Sequence, residues 1–385
     1  MNTFKITNLF GRVSQAPLRA PSYLLGVIVA ALSISTSNAQ TSGTWAPTGS
    51  MANPRYAFSA VQLRNGKVLA GGGISSTGVV AAAELYDPST GIWSSTGNMK
   101  LARAYYTATL LPNGKVLVAG GCTNANCSAG TATAEIYDPA AGLWRSAGKM
   151  STLRYFFNAT ALQDGNVLVE GGCNQGNCGT VTASAELFNP GTRQWTLTGS
   201  MHIGRDYHTA TMLSGGNVMV TGGYTVQGTS NNVEVYDPAN GTWTTIASMI
   251  SGRALHAATA LPDGRVVVAG TGNLPSAVTE VYDPVANHWS PVGNLNTTRS
   301  EPVACLLPTG QAMMAGGYSY IRPRYFNLAS CELFDATANT WAFTGDMTSA
   351  RYLQTVVVLG NGQVLAAGGL SDSSTILSSV DIYTP

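Results

Sequence analysis

The sequence predicts an all-β protein, a seven-bladed β-propeller with four-stranded antiparallel blades. Three repeating features predict it. The seven tryptophans of the chain recur at spacings of 48, 51, 51, 48, 46 and 52 residues. Arginines and glycine pairs recur in step with the tryptophans. A period of about 50 residues that holds several short strands is typical of a propeller blade.

Each repeat carries four markers in the same order: an arginine, a glycine pair, an acid before an apolar-aromatic pair, and a tryptophan. The register arginines are Arg55, Arg103, Arg154, Arg205, Arg253, Arg299 and Arg351. The glycine pairs begin at Gly71, Gly120, Gly171, Gly222, Gly316 and Gly368, and the fifth copy reads Gly270-Thr271-Gly272. The register acids are Glu84, Glu135, Glu186, Glu234, Glu280, Glu332 and Asp381.

The second repeat shows how four strands fit into one unit. Residues 106–111 alternate and form strand A, and Asn113-Gly114 is a strong hairpin turn signal. Residues 115–119 are mostly apolar and form strand B, as expected for a strand that is buried on both faces. Residues 133–137 form strand C, and after a further turn strand D begins at Leu143.

The two ends of the chain predict how the ring closes. An isolated tryptophan strand, residues 44–47, precedes the first arginine, and no tryptophan follows the last one. The N-terminal strand should therefore complete the seventh blade as its fourth strand, which closes the ring and leaves no terminal blade face uncovered.

The first 39 residues have the features of an export signal, and residues 40–385 then form a single propeller domain. Lys5, Arg12 and Arg19 precede a short apolar run, residues 23–34, and small residues end the segment. This pattern is typical of a cleaved signal peptide, and the run is short for a membrane span. An uncleaved N-terminal anchor is the alternative. We therefore expect a secreted or periplasmic protein with no membrane span after signal cleavage.

The charge balance excludes one class of partner. Removal of residues 1–39 takes three of the 20 basic residues and none of the 19 acidic residues, so the balance becomes about −2. Charged residues make up 10% of the chain, against roughly 25% in an average globular protein. Because nucleic-acid binding needs a basic patch, we expect no nucleic-acid partner.

Two cysteine pairs occupy equivalent loops of consecutive repeats. Cys122 and Cys127 follow one glycine pair, and Cys173 and Cys178 follow the next. In an exported protein this duplicated spacing favours two loop disulfides. One metal site with four thiolates is the alternative, although common zinc sites have a C-x2-C spacing.

The other two cysteines, Cys305 and Cys331, fall on strands A and C of the sixth repeat. Strand B separates these strands, which puts them about 10 Å apart and beyond the usual reach of a disulfide. We expect buried free thiols.

The ordered set of markers resembles the kelch repeat, over about residues 43 to 385. This resemblance implies that strand A is innermost and that the face with the D–A and B–C connections commonly binds partners. We call this face the mouth face. Its B–C loops vary between repeats, whereas the A–B and C–D turns are short and uniform. Binding residues usually lie on variable loops held by a rigid frame, so we expect a ligand there.

The register arginines lie where strand A begins at the mouth face. Buried pairs with the register acids are one interpretation of them, and contact with a ligand is the other. The residues that follow the arginines vary between repeats and are rich in aromatic side chains, which suits sugars or peptide side chains. The candidate ligand-binding residues are Arg103, Tyr105, Arg154, Tyr155, Arg205, Asp206, Tyr207, His208, Arg253, His256 and Glu301, with Tyr320 in the sixth B–C loop.

Glu170 is a further candidate because it departs from its repeat. It stands directly before Gly171-Gly172, where the other copies have alanine or threonine. A carboxylate at this small-residue position is either a binding group near the mouth or the partner of a neighbouring arginine.

The chain is also similar to the propeller of galactose oxidase, in runs such as YHTATML and VMVTGG. This resemblance implies a copper site in which Tyr207 and His208 match a ligand pair and Tyr105 lies near the place of a cross-linked tyrosine. The position of the family's thioether cysteine falls at about Phe58 or Ser59. The family's remaining histidine belongs to a C-terminal domain with no counterpart in this sequence, and His256 is the candidate replacement.

The leading hypothesis is therefore an exported binding module for a glycan or protein ligand, with no catalytic residue, metal or cofactor assigned. The alternative is an enzyme, either a copper oxidase or another small-molecule enzyme that uses the channel mouth. A purely structural surface component is the third hypothesis. The sequence contains no Ser-His-Asp arrangement or nucleotide-binding loop that would indicate another activity.

Overall fold

The computed structural model describes residues 43–271, 276–321 and 323–385, except for the side chain of Ile321. The predicted signal peptide lies outside the described residues, which belong to one compact unit, residues 42–385. Seven four-stranded antiparallel sheets form the predicted propeller. Within the described residues, no helix has the length and apolar character that crossing a membrane requires.

The blades are numbered in chain order, and each runs from strand A at the axis to strand D outside. The first four are blade 1 with β2 (Ser59–Gln62), β3 (Val68–Gly71), β6 (Ala83–Asp87) and β7 (Ile92–Ser95); blade 2 with β8 (Thr107–Leu110), β9 (Val116–Ala119), β10 (Thr133–Asp138) and β11 (Leu143–Lys149); blade 3 with β12 (Asn158–Ala161), β13 (Val167–Glu170), β14 (Ala185–Asn189) and β15 (Gln194–Leu197); and blade 4 with β16 (Thr209–Met212), β17 (Val218–Thr221), β20 (Val233–Asp237) and β21 (Thr242–Thr245).

The remaining strands complete the ring in the same way. They are blade 5 with β22 (Ala257–Ala260), β23 (Val266–Ala269), β24 (Thr279–Asp283) and β25 (His288–Pro291); blade 6 with β26 (Val303–Leu306), β27 (Ala312–Ala315), β30 (Cys331–Asp335) and β31 (Thr340–Phe343); and blade 7 with β32 (Thr355–Val358), β33 (Val364–Ala367), β34 (Val380–Thr384) and the N-terminal strand β1 (Thr44–Thr48).

Short structures decorate several B–C loops. Blade 3 has a 3₁₀ turn at Gly176–Cys178. Three small hairpins are β4 (Ile74–Ser75) with β5 (Gly78–Val79), β18 (Tyr224–Thr225) with β19 (Gly228–Thr229), and β28 (Tyr318–Ile321) with β29 (Arg324–Asn327).

The ring closes as predicted. Strand β1 pairs with β34 in antiparallel register, and Trp45 lies opposite Tyr383. On the inner side, β32 of the last blade lies against β2 of the first. The two ends of the chain therefore share one blade.

Packing between blades explains the repeated markers. All seven B strands are buried at every residue, because neighbouring blades cover both of their faces. On the outer side, Trp144 packs on Tyr137 of its own blade at 5.0 Å between ring centroids. Its indole nitrogen donates to the carbonyl of Gly97 at 2.6 Å, which ties blade 2 to blade 1.

The register arginines are structural parts of their own blades. In blade 4, Arg205 is fully buried, and its Nη2 lies 2.7 Å from Oε1 of Glu234. Its Nη1 donates to the carbonyl of Gly222 at 2.7 Å. The other six register arginines form the same buried ion pair with the acid of their own blade. Buried charges need such partners.

The first glycine of each pair is required by a close approach between blades. Gly171 has φ +68°, and a Cβ there would lie 2.7 Å from the carbonyl oxygen of Arg205 and 2.6 Å from Cε1 of His208. In the first repeat the equivalent glycine is Gly72, 17 residues after its arginine, to which Arg55 donates. Glycine alone fits this backbone conformation and this contact.

Candidate ligand-binding site at the mouth of the channel

Seven residues, one from each blade, form a ring at the mouth of the channel, which we call the mouth ring. Each stands two positions after a register arginine, and each has left-handed backbone although none is glycine, with φ between 48° and 55°. Such a conformation costs an ordinary residue about 1–2 kcal/mol. The ring comprises Ala57, Tyr105, Phe156, Tyr207, Leu255, Glu301 and Leu353.

Hydrogen bonds between neighbouring blades hold this conformation. The amide of Tyr105 donates to the carbonyl of Ala57 at 3.0 Å, and the amide of Glu301 donates to the carbonyl of Leu255 at 2.9 Å. The amide of Leu255 donates in turn to Tyr207 at 3.1 Å. Left-handed residues persist where the surroundings fix them, and they cluster at functional sites.

A cavity of about 240 Å³ opens at the mouth ring. It is smaller than the roughly 300–1,000 Å³ of sites for drug-sized ligands, so it holds one small group rather than a whole large ligand. Five of the residues that line it belong to the mouth ring. The lining residues are Tyr105, Tyr207, His208, Leu255, His256, Glu301, Pro302, Val303, Leu353 and Gln354.

Aromatic rings form an arc on one side of the mouth. Phe156 stacks on Tyr207 with 4.1 Å between ring centroids, and Tyr105 meets the edge of Phe156 at 4.6 Å. Tyr224 lies edge-on to Tyr207 at 6.1 Å. Of these rings, Tyr105 and Tyr207 line the cavity and give it aromatic walls with hydroxyl groups, the kind of lining that binds rings with polar substituents.

Glu301 supplies the only acid of the mouth ring. Its Oε2 is buried and has no hydrogen-bond partner among the described residues. Burial raises the pKa of this carboxyl to about 7. Burial and the nearby Glu301 charge raise the pKa of Tyr224 to about 12, and the pKa of Tyr352 to about 12, so these hydroxyls stay protonated at neutral pH.

The residues three positions after the arginines lie between blades and only partly line the cavity. Nε2 of His208 lies 3.8 Å from Oε1 of Glu170 in the preceding blade. Neither His208 nor Glu170 has a side-chain hydrogen bond within the described residues. Burial raises the pKa of Glu170 well above its usual value, which favours its neutral form, and lowers the pKa of His208 to about 3, so that His208 is neutral near pH 7.

His256 occupies the same position in blade 5, but it is bonded. Its Nε2 lies 2.9 Å from Oγ1 of Thr221 and 3.2 Å from Oγ1 of Thr209. Burial lowers the pKa of His256 well below its usual value. Thr221 stands where blade 3 has Glu170, and Thr209 stands where blade 3 has Asn158, so the two interfaces differ at both positions that bond His256.

Both predicted disulfides are present, Cys122–Cys127 and Cys173–Cys178. Asp206 lies against the second, with Oδ2 3.0 Å from both sulfur atoms, and burial raises the pKa of this carboxyl to about 7. Cys305 and Cys331 are free as predicted; Cys331 is buried and Cys305 is half-buried.

Tyr155 braces the same loop from the other side. Its hydroxyl donates to the carbonyl of Gln175 and accepts from the amide of Cys178, both at 2.6 Å. Tyr155 is fully buried. Tyr155 and Asp206 therefore support a B–C loop and do not line the cavity.

The structure brings together only part of the predicted set. Tyr105, Tyr207, His208, His256 and Glu301 line the cavity. Among the others, Glu170 contacts the cavity only through His208, and Tyr320 packs on Tyr325 in the β28–β29 hairpin at 4.6 Å. The four candidate arginines are held in the buried pairs described above and are not in the lining: Arg103, Arg154, Arg205 and Arg253.

Sequence reasoning missed half of the lining. These residues are apolar or neutral and drew no attention, but all except Val303 stand two or three positions after a register arginine, which is the signal that would have found them. They are Leu255, Pro302, Val303, Leu353 and Gln354.

The residues at the mouth do not fit the copper site that the galactose oxidase resemblance implies. Phe58 and Ser59 stand at the place of the thioether cysteine, and a phenylalanine ring separates Tyr105 from Tyr207. Among the histidine, cysteine and acidic side chains of the described residues, three ligand atoms come together only at Cys173, Cys178 and Asp206, where the cysteines form a disulfide. Copper needs several N, O or S ligands in one place.

Comparisons with known proteins agree with the geometry of the fold. The kelch motif model matches residues 103–151 and 207–250. Among solved structures, a fungal alcohol oxidase of the AA5 family in complex with copper is similar, at 16% identity and a TM-score of 0.72 over 90% of this chain and 77% of that chain. At this identity the likeness shows the fold alone. No curated protein sequence matches the chain significantly. The chain is therefore a seven-bladed β-propeller that carries kelch motifs at residues 103–151 and 207–250.

Proposed function

We propose that the protein is an exported binding module whose mouth cavity takes one sugar residue of a glycan. The observation that supports this proposal most strongly is the cavity of about 240 Å³, whose lining includes the aromatic rings of Tyr105 and Tyr207 and the polar side chains of Glu301 and Gln354. Sugars present both an apolar ring face and several hydroxyls, and this lining offers a surface for each.

Size and chemistry favour a sugar over a protein ligand. A protein interface normally buries about 800 Å² per partner and carries large exposed anchors, whereas the feature at this mouth is a small recess. The lining also includes the polar side chains of His256, Glu301 and Gln354. A ligand with hydroxyl groups offers hydrogen-bond partners to a lining of this kind.

Export is supported by the two disulfides, which persist in oxidising compartments. The export proposal predicts that protein recovered from outside the cytoplasm begins at Gln40. Mass spectrometry of its N-terminus measures this, and an intact Met1 on the exported protein would contradict signal cleavage.

The binding proposal is tested on a panel of immobilised glycans. Tyr207→Ala should weaken binding of the selected glycan by at least tenfold, because it removes one face of the aromatic arc. The backbone should tolerate this change, since Ala57 occupies the same ring position at φ 53°. Val285→Ala is the control, because Val285 is 96% exposed on a C–D turn at the opposite face.

Three outcomes would contradict the proposal. One is a panel without any bound glycan. Another is equal loss of binding in both variants. The third is stoichiometric copper in the purified protein together with oxidation of an alcohol, which would assign it instead to the enzymes suggested by its structural likeness.

A further inference from the structure

Three acids with buried carboxyl oxygens in the described part of the propeller have no arginine partner: Glu170, Asp206 and Glu301. Each of the seven register acids, in contrast, is paired with an arginine of its own blade. Glu301 is the one of the three that lines the cavity, and no donor among the described residues reaches its Oε2. A buried carboxylate without a counter-charge is unfavourable, so a bound cation would favour the ionised form of Glu301.

Aromatic rings lie near this carboxyl. Tyr105 and Tyr207 line the same cavity as Glu301. The charge of Glu301 raises the pKa of five tyrosines from four blades: Tyr105, Tyr207, Tyr224, Tyr318 and Tyr352. Tyr318 meets Tyr352 edge to face at 5.5 Å. The faces of such rings attract cations, and cages of aromatic side chains are a recurring means of binding ammonium groups.

The geometry points to an organic cation rather than a metal ion. Calcium takes 6–8 oxygen ligands, and magnesium needs a nearly octahedral set, whereas Glu301 is the only acid in the cavity lining. The remaining lining is largely apolar, with Leu255, Pro302 and Leu353 beside the carboxyl. An organic ammonium group fits both the carboxylate and the apolar side chains of the lining. Its charge can pair with the carboxylate, and its carbon atoms can pack against the apolar side chains.

We propose that the mouth cavity binds a positively charged amine on the sugar ligand, with Glu301 as its counter-ion and the rings of Tyr105 and Tyr207 as its aromatic walls. The preferred ligand class is therefore an amino-sugar glycan with a free amine. This inference rests on the proposed function and names its substrate class.

The charge state of Glu301 gives the site a pH dependence. Because its carboxyl has a pKa of about 7 in the free protein, it is ionised above that pH and neutral below it. The other titratable groups in the cavity lining do not change charge in this range: burial raises the pKa of Tyr105 and Tyr207 and lowers the pKa of His208 and His256. Asp206, whose pKa is also raised to about 7, lies outside the lining. Cation binding should therefore strengthen as the pH rises through 7.

A matched pair of small probes tests the charge alone. Choline carries a permanent positive charge, and 3,3-dimethylbutan-1-ol has the same shape with carbon in place of nitrogen. Calorimetric titration of the full chain at pH 8 should show choline at least tenfold tighter, and the preference should shrink by pH 5.5. Glu301→Gln should abolish the preference, whereas Glu170→Gln, a buried acid outside the cavity, should keep it.

A comparison of two sugar oligomers tests whether the bound amine belongs to a glycan. Oligomers of glucosamine should bind at least tenfold tighter than oligomers of N-acetylglucosamine, which carry the same rings without the charge, and Glu301→Gln should remove the difference. Equal binding of choline and its neutral analogue, or a preference that survives Glu301→Gln, would overturn the inference. So would a lysine peptide that binds where neither sugar oligomer does.

Failure of this inference can be told from failure of the proposed function. If neutral glycans bind through Tyr207 and Glu301→Gln changes nothing, the proposed preference for an amine is contradicted and the proposed glycan site is supported. If choline is preferred but no glycan binds, the proposed cation site is supported and the proposed glycan ligand is contradicted.

Discussion

Glu170→Thr should stabilise the protein, because it would place beside His208 the hydroxyl group that bonds the equivalent histidine in the next interface. In the blade 4–5 interface, Thr221 and His256 are hydrogen-bonded at 2.9 Å. In the blade 3–4 interface the same positions hold Glu170 and His208, 3.8 Å apart, and all four of their polar side-chain atoms lack hydrogen bonds within the described residues. Both carboxylate oxygens are fully buried, so the substitution removes an unsatisfied group and supplies a donor to His208.

The expected gain follows from three contributions. An unsatisfied buried polar group costs about 1–3 kcal/mol, and a new hydrogen bond contributes about 0.5–1.5 kcal/mol. The loss of roughly one buried methylene offsets about 0.8 kcal/mol of this. Threonine also suits a strand. The net effect on the free energy of unfolding should be a stabilisation of about 1–3 kcal/mol near neutral pH.

The difference in stability between the variant and wild type should depend on pH. The pKa of Glu170 is raised in the folded state, so above about pH 4.3, the value for an exposed glutamate, the unfolded wild-type chain loses a proton that the folded chain keeps. Wild-type stability then falls by up to about 1.4 kcal/mol per pH unit until the folded carboxyl ionises. The threonine variant lacks this loss, and its advantage should grow between pH 4 and pH 6. His208 is present in both proteins and cancels in the difference.

Equilibrium unfolding in guanidinium at pH 4, 5, 6 and 7 measures the difference. Thr221→Glu is the reciprocal control and should destabilise the neighbouring interface with the opposite pH trend. The prediction would be contradicted by a threonine variant that is no more stable than wild type at pH 6. It would also be contradicted by a difference in the free energy of unfolding that does not change with pH. That result would mean that Glu170 is ionised and paired in the folded protein.

Two further predictions concern the closure strand and the second disulfide. Deletion of residues 40–50 should lower the melting temperature sharply, because it strips β34 of its only outer partner; deletion of residues 1–39 is the control, and equal melting temperatures for both would contradict the closure. Reduction of Cys173–Cys178 by a dithiol should slow relative to Cys122–Cys127 as the pH rises through 7, because ionised Asp206 repels the attacking thiolate. Asp206→Asn should abolish that trend. Mass spectrometry after differential alkylation of the cysteines measures the reduction of both disulfides. A ratio of the two reduction rates that stays constant with pH in wild type would argue against a titrating Asp206.

The repeated markers predicted the fold because each makes a contact that every blade needs. The arginine bonds the glycine carbonyl and the acid, the tryptophan reaches the previous blade, and the glycine leaves room for the next one. These contacts are local or lie between neighbouring repeats. Their periodic spacing in the sequence therefore maps directly onto the ring, including the strand shared by its two ends.

The site was predicted less well because three consecutive positions take three different directions. Asp206 lies against a disulfide, Tyr207 lines the cavity, and His208 lies between blades. A left-handed residue at the middle position causes this divergence, and neither tyrosine nor glutamate signals that conformation as glycine would. The sequence thus located the mouth but could not sort its residues.

Hydrogen exchange with a saturating bound glycan tests whether the ligand binds at the mouth of the channel. Ligand at the mouth predicts slower exchange of the mouth-ring amides, in peptides that contain Tyr105, Tyr207 and Glu301, and unchanged exchange in the A–B turns at the opposite face. Protection confined to those turns, or no protection in the mouth ring, would contradict a ligand-binding mouth.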